Sequence, residues 1–219
     1  MLITILLMVI SITIGVVTGE RHYYIVSILL MMLSIGLLVK SVGRKLKVRE
    51  VVLISSLTAI AVVGRVAFYW LPQFKPVTAI VIVSAVALGS EGGMLVGMLS
   101  AFISNFVLSQ GPWTPFQMFA WGLIGLITGR LFFNRPLNKY VLMVYGFIVT
   151  MIVYGGILNL SSALTYGSVL NFKTILSYYA TGVPFDLVHA ISTAIFLYCI
   201  TNPLMEKLQR IRVKFGMLQ

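Results

Sequence analysis

Charge is scarce in this sequence. Asp, Glu, Lys and Arg make up 10% of the 219 residues, against about 25% in ordinary soluble domains. Acid is scarcest, with 5 Asp and Glu against 16 Lys and Arg. Apolar residues reach 59% and the mean hydropathy is +1.03. So few charges cannot cover so much apolar surface in water, which excludes a water-soluble globular enzyme and a disordered chain. The single cysteine, Cys199, excludes an internal disulfide and a thiolate zinc site. Only His22 accompanies His189, so no metal site is expected. No GxxxxGK[ST] is present, hence no nucleotide-driven motor in this chain. Neither G-x-S-x-G nor H-E-x-x-H occurs, and no paired intramembrane carboxylates offer a proton relay. No cofactor is expected, and the chain does not read as an enzyme.

What remains is a polytopic, all-α helical membrane bundle. Apolar runs cover 1–17, 23–39, 51–70, 77–88, 93–108, 116–133, 140–166 and about 184–200. The first lacks the basic start of a signal peptide and reads as a span. The run 77–88 gives only about 18 Å of helix, short for a full crossing, so it either extends into its flanks or is sheltered by protein. Gly89-Ser90-Glu91-Gly92 reads as a tight turn, and Pro72 and Pro76 mark a loop. Gln110-Gly111-Pro112-Trp113-Thr114-Pro115 reads as a rigid loop with Pro115 opening the next helix. Segment 167–182 suits a short interfacial helix, and a last span opens at Pro184 and ends at Pro203. The basic block Lys40, Arg44, Lys45, Lys47 and Arg49 divides an N-terminal hairpin, 1–39, from a membrane domain, 40–219.

Cation placement predicts the orientation. With the N-terminus inside, alternating runs put that block, Arg130, Arg135, Lys139, Lys207, Arg210, Arg212 and Lys214 on the inner side. Only Arg21, Lys75 and Lys173 fall outside. Both termini are therefore expected in the cytoplasm. The basic blocks then serve topology and require no nucleic-acid partner.

Several residues carry possible chemistry. Small-residue ladders at Ser55/Ala59, Ala85/Gly89, Gly93/Gly97/Ala101 and Gly125/Gly129 permit close helix approach, either inside the bundle or against another membrane protein. Arg65, inside a span, either snorkels to the outer surface or faces an outward pocket as donor to a ligand oxygen. Asp186 and His189 share one helix face. Asp186 suits the positive end of a helix, or the pair forms a site, with Arg65 as a partner. Tyr69, Phe74, Trp113, Gln117, Trp121, Tyr166, Tyr178 and Tyr179 cluster toward the outer side. They form either an interfacial belt or the flat walls of a pocket. All 3 tryptophans fall there, and a belt would use both surfaces.

The order of parts over about 48–212 resembles the substrate-binding (S) components of energy-coupling factor (ECF) transporters. The resemblance rests on the basic start, a first core helix with small residues, a Pro-containing outer loop and a short second helix. It rests above all on Gly182-Val183-Pro184-Phe185-Asp186-Leu187-Val188-His189-Ala190, which looks like the start of that family's sixth helix. Gly64-Arg65-Val66-Ala67-Phe68, Phe74-Lys75-Pro76 and Gln110 to Met118 are most similar to the cobalamin-type S component.

The resemblance implies a six-helix core in a prokaryotic plasma membrane. It implies a vitamin, cobalamin foremost, captured near the outer surface. It also implies a T component and two ATPases as partners, toward which the loaded subunit topples in the lipid. By position it selects Phe74, Lys75, Trp113, Gln117, Trp121, Tyr166, Asp186 and His189 for substrate. Arg65, Tyr69 and Tyr179 join them from the residue reading. The family's A-x-x-x-A docking pattern falls on Ser55-Ser56-Leu57-Thr58-Ala59, where serine departs from alanine but stays small. The hairpin 1–39 is extra to such a core. The rival readings are a self-sufficient carrier of a small organic solute, an intramembrane enzyme using Asp186 and His189, and a scaffold with no ligand.

Overall fold

The computed structural model describes residues 2–19, 22–43, 46–136 and 138–214. Arg21, Arg44 and Lys45, counted in the charge map, lie outside them. The described secondary structure is helical: α1 (Leu2–Thr18), α2 (Tyr23–Gly43), α3 (Val48–Ala67), α4 (Val77–Leu108), α5 (Thr114–Phe132), α6 (Lys139–Val149), a π-helical turn (Thr150–Gly155), α7 (Gly156–Tyr166) and α8 (Phe172–Lys214). Among the described residues, 5 helical segments are long and apolar enough to cross a membrane. The shorter α1 is also apolar.

α4 is two helices. Gly89 takes φ 81° and ψ −177°, a backbone that side chains with a Cβ rarely adopt, and the chain reverses there. A Cβ on Gly93 would lie 2.3 Å from that of Ala85, eight residues earlier. The turn expected at 89–92 is therefore centred on Gly89. The short first arm, 77–88, is buried almost throughout, so protein rather than lipid shelters it.

The small-residue ladders explain how. A Cβ on Gly125 would lie 2.3 Å from the backbone of Gly93, and one on Gly97 would lie 2.4 Å from the carbonyl oxygen of Trp121. The second arm of α4 and α5 thus touch backbone to backbone, the packing that lipid-immersed helices use in place of a hydrophobic drive. The ladder on α3 differs: Ser55 and Ala59 are exposed, while Leu53, Ile54, Leu57 and Thr58 turn inward.

Two boundaries differ from expectation. Segment 167–182 is no separate interfacial helix, and Pro184 and Pro203 neither open nor close a span. α8 runs through both for 43 residues, about 65 Å at 1.5 Å per residue. Both prolines are exposed, where the carbonyls they leave unpaired are not sealed in the core. α3, the two arms of α4, α5, α6–α7 and α8 make a six-helix arrangement around one apolar core. The α1–α2 hairpin lies against its flank, burying Val26, Leu30 and Leu33 with Phe116, Leu164 and Leu170.

Candidate binding site

At the end opposite the basic α3 start and α8 tail lies a cavity of about 540 Å³. Trp113 and Tyr166 give it aromatic walls, Gln73, Gln117 and Asn159 offer amides, and Asp186 supplies its carboxylate. Local sequence explains how these groups are held. Gly111 lets the Trp113 indole lie close over it, since a Cβ there would sit 2.4 Å from the ring. Thr114 Oγ1 accepts from Gly111 N–H at 3.3 Å and donates to Gln110 Oε1 at 2.9 Å. Pro115 then enters the first turn of α5, where its missing N–H costs nothing.

On the far wall, Asn159 Nδ2 donates to Asp186 Oδ2 at 2.7 Å. Two glycines admit this pair. A Cβ on Gly155 would lie 2.6 Å from the Asp186 carboxyl carbon, and one on Gly182 would lie 2.2 Å from Asn159 Oδ1. Tyr179 OH ties the same corner together by donating to the Gly156 carbonyl at 2.7 Å.

A buried polar network underlies the cavity. Arg65, 6% exposed, donates through Nη1 to Ser104 Oγ and to Asn105 Oδ1 at 2.7 Å, and through Nη2 to Gln117 Oε1 at 3.3 Å. Asn105 Nδ2 donates to Gln117 Oε1 and to Thr114 Oγ1, both at 2.9 Å. These contacts fix which end of each amide is oxygen. The guanidinium carbon lies 5.1 Å from the Trp121 ring centroid, a cation–π contact that favours the charged form. Arg65 and Asp186 make no ion pair: one faces neutral oxygens and a ring, the other the Asn159 amide. Arg65 therefore does not snorkel; its two terminal nitrogens are paired internally, while Nε is buried and makes no hydrogen bond.

Beside it, Trp121 Nε1 donates to Thr78 Oγ1 at 2.9 Å, and Thr78 Oγ1 lies 3.0 Å from His189 Nε2. The Thr78 hydroxyl can accept from both rings or pass its own proton to His189 Nε2, according to the His189 tautomer; His189 Nδ1 is buried and makes no hydrogen bond. Tyr154 closes the group, 5.0 Å from Trp121 and 4.5 Å from His189 between ring centroids. Tyr154 comes from the π-helical turn, whose extra residue re-aims side chains within a span.

The family model described as ECF-type riboflavin transporter, S component, matches residues 45–208. The chain belongs to this family. No curated protein and no solved structure matches it. The match covers the six-helix arrangement and leaves the α1–α2 hairpin outside. Membership makes this S component a membrane-embedded subunit of a transporter rather than an enzyme, and implies a vitamin substrate with T-component and ATPase partners.

Of the residues singled out in the sequence of this S component, Trp113, Gln117, Tyr166, Tyr178 and Asp186 line the cavity. Arg65, Trp121 and His189 lie beneath it, and Tyr179 braces its corner. Three do not line it. Tyr69 is exposed beside Trp70. Phe74 packs on Phe68 and Phe196 at 6.1 and 5.4 Å. Lys75 is not among the residues lining it, and its carbonyl accepts from Ser192 Oγ at 3.1 Å. Burial, and then the nearby Arg65 charge, holds the Lys75 ammonium below the ordinary lysine range. Sequence reasoning missed Ser104, Asn105, Asn159, Thr78 and Tyr154. The lone amides Asn105 and Asn159 inside apolar runs were a usable signal. Tyr154 had none, because a π-turn leaves no mark in the apolar pattern.

Proposed function

We propose that this S component captures a riboflavin-sized vitamin at the outer surface. It then delivers it by docking the exposed Ser55/Ala59 face of α3 to a T component coupled to two ATPases. The observation that carries the ligand size is the cavity of about 540 Å³ with its aromatic walls. A tricyclic ring with one polyol arm fits that volume and wall chemistry: the ring stacks on Trp113 and Tyr166, while Gln73, Asn159 and Asp186 meet its hydroxyls and carbonyls. The description of the matching family points the same way.

Cobalamin is the second reading, favoured by the stretches around Arg65, Phe74 and Trp113. The volume weighs against it, because a corrinoid with its amide arms and nucleotide loop would stand far out of the cavity. The excess of Lys and Arg at the other end supports an orientation with both termini in the cytoplasm of a prokaryotic cell. The α1–α2 hairpin, outside the family match, is a separate membrane unit applied to the core.

The test is a titration of the purified full chain with riboflavin, followed by quenching of flavin fluorescence, beside equilibrium dialysis with cobalamin. Saturable quenching without cobalamin retention supports the flavin reading. Cobalamin retention without quenching replaces it, and retention of neither removes both vitamins.

A further inference from the structure

The basic end of the bundle holds a second cavity, of about 410 Å³, between the α5–α6 connection and the end of α8. Its polar side consists of Asn134, Arg135, Gln209 and Arg212, and its apolar side of Val86, Phe132 and Met205. Arg212 is only 9% exposed. Its guanidinium lies 5.2 Å from the Phe133 ring centroid and donates to Asn134 Oδ1 at 3.2 Å. Among the described residues, no carboxylate lines the cavity. Glu206, the acid nearest along α8, lines the adjoining hollow with Arg210 and Lys214, across Gln209 and Val213, which border both.

A guanidinium carries five donors and binds an oxyanion far better than it binds one amide oxygen. Two guanidinia at one cavity, one of them buried and no carboxylate among the described lining residues, leave a demand for negative charge. The adjoining apolar wall and the position at the end of membrane-crossing helices specify what supplies it. Basic pockets between such helices receive the head groups of anionic lipids. We infer that Arg135 and Arg212 bind the phosphate of an anionic phospholipid, with Val86, Phe132 and Met205 flanking the start of its acyl chains. The site is independent of the vitamin reading and lies at the other end of the molecule.

The test places the purified full chain in phosphatidylcholine bilayer discs, with and without phosphatidylglycerol, and reads retained lipid by mass spectrometry. The expected result is phosphatidylglycerol retained over phosphatidylcholine by about tenfold, or about 1.4 kcal/mol. Arg135→Gln and Arg212→Gln should each abolish that preference. Arg135 is exposed, so its variant folds even if the other does not. Arg130→Gln, at the same end but outside the cavity, should keep the preference. Three results overturn the inference: no preference in the unaltered chain, preference retained by Arg135→Gln, or equal loss in Arg130→Gln, which signals diffuse surface charge. Full competition by inorganic phosphate overturns the lipid assignment in favour of a soluble anion.

Discussion

Arg65 Nη1 lies 2.7 Å from Asn105 Oδ1, joining α3 to the second arm of α4 beneath the cavity. Forty positions separate the two in sequence, and each resolves a problem for the other. A guanidinium in the membrane is costly, and so is an amide oxygen without a donor. Together with Gln117 they form one hydrogen-bonded unit beneath the cavity, with only Arg65 Nε left over.

Arg65→Met should therefore act on stability before function. It strands Asn105 Oδ1, while Gln117 Oε1 keeps the Asn105 amide and Ser104 Oγ keeps the Ala101 carbonyl, and a buried acceptor without a donor costs about 1–3 kcal/mol. The expected loss is of that size, read as a lower thermal midpoint in detergent. An unchanged midpoint would show that the network adds nothing to the fold.

Trp113→Ala should weaken vitamin binding with little change in stability, since Trp113 is partly exposed at the cavity mouth. Loss of a stacking wall is worth about 1–3 kcal/mol, so affinity should fall about tenfold or more. Titration of the variant measures it, and equal affinity would remove Trp113 from the site.

The small-residue faces should separate by consequence. Gly125→Ala drives a methyl to within 2.3 Å of the Gly93 backbone, and such overpacking typically costs about 1–3 kcal/mol. Ala59→Leu and Ser55→Leu, on an exposed face, should leave stability within about 0.5 kcal/mol and vitamin binding intact. They should nevertheless block uptake in cells. Uptake that survives both substitutions places partner docking elsewhere.

Gly155→Ala should discriminate site from scaffold at the α7–α8 corner. Its methyl would meet the Asp186 carboxyl at 2.6 Å, and a side-chain end yields more cheaply than backbone. The midpoint should hardly move, while the displaced carboxylate lowers affinity about tenfold. A large stability loss with unchanged affinity would make Asp186 structural only.

Solvent and class were legible in the amino-acid sequence. Scarce charge, long apolar runs and one-sided cations already required a helical membrane bundle, because each follows from the cost of putting polar groups in lipid. The sequence also pointed to residues that the structure places on one cavity: Trp113, Gln117, Tyr166 and Asp186 were legible as polar or aromatic residues beside expected outer loops. Spacing alone could not separate the internal ladder at Gly93 and Gly125 from the exposed one at Ser55 and Ala59, since both satisfy the same small-residue rule. Nor could it distinguish prolines that end a helix from Pro184 and Pro203, which α8 absorbs on its exposed surface. Tertiary structure alone decided that Arg65 meets Asn105 rather than Asp186, that a π-turn swings Tyr154 against His189, and that Phe74 packs away from the cavity. Those outcomes depend on how distant helices meet, and a buried charge takes whichever partners the packing brings within reach.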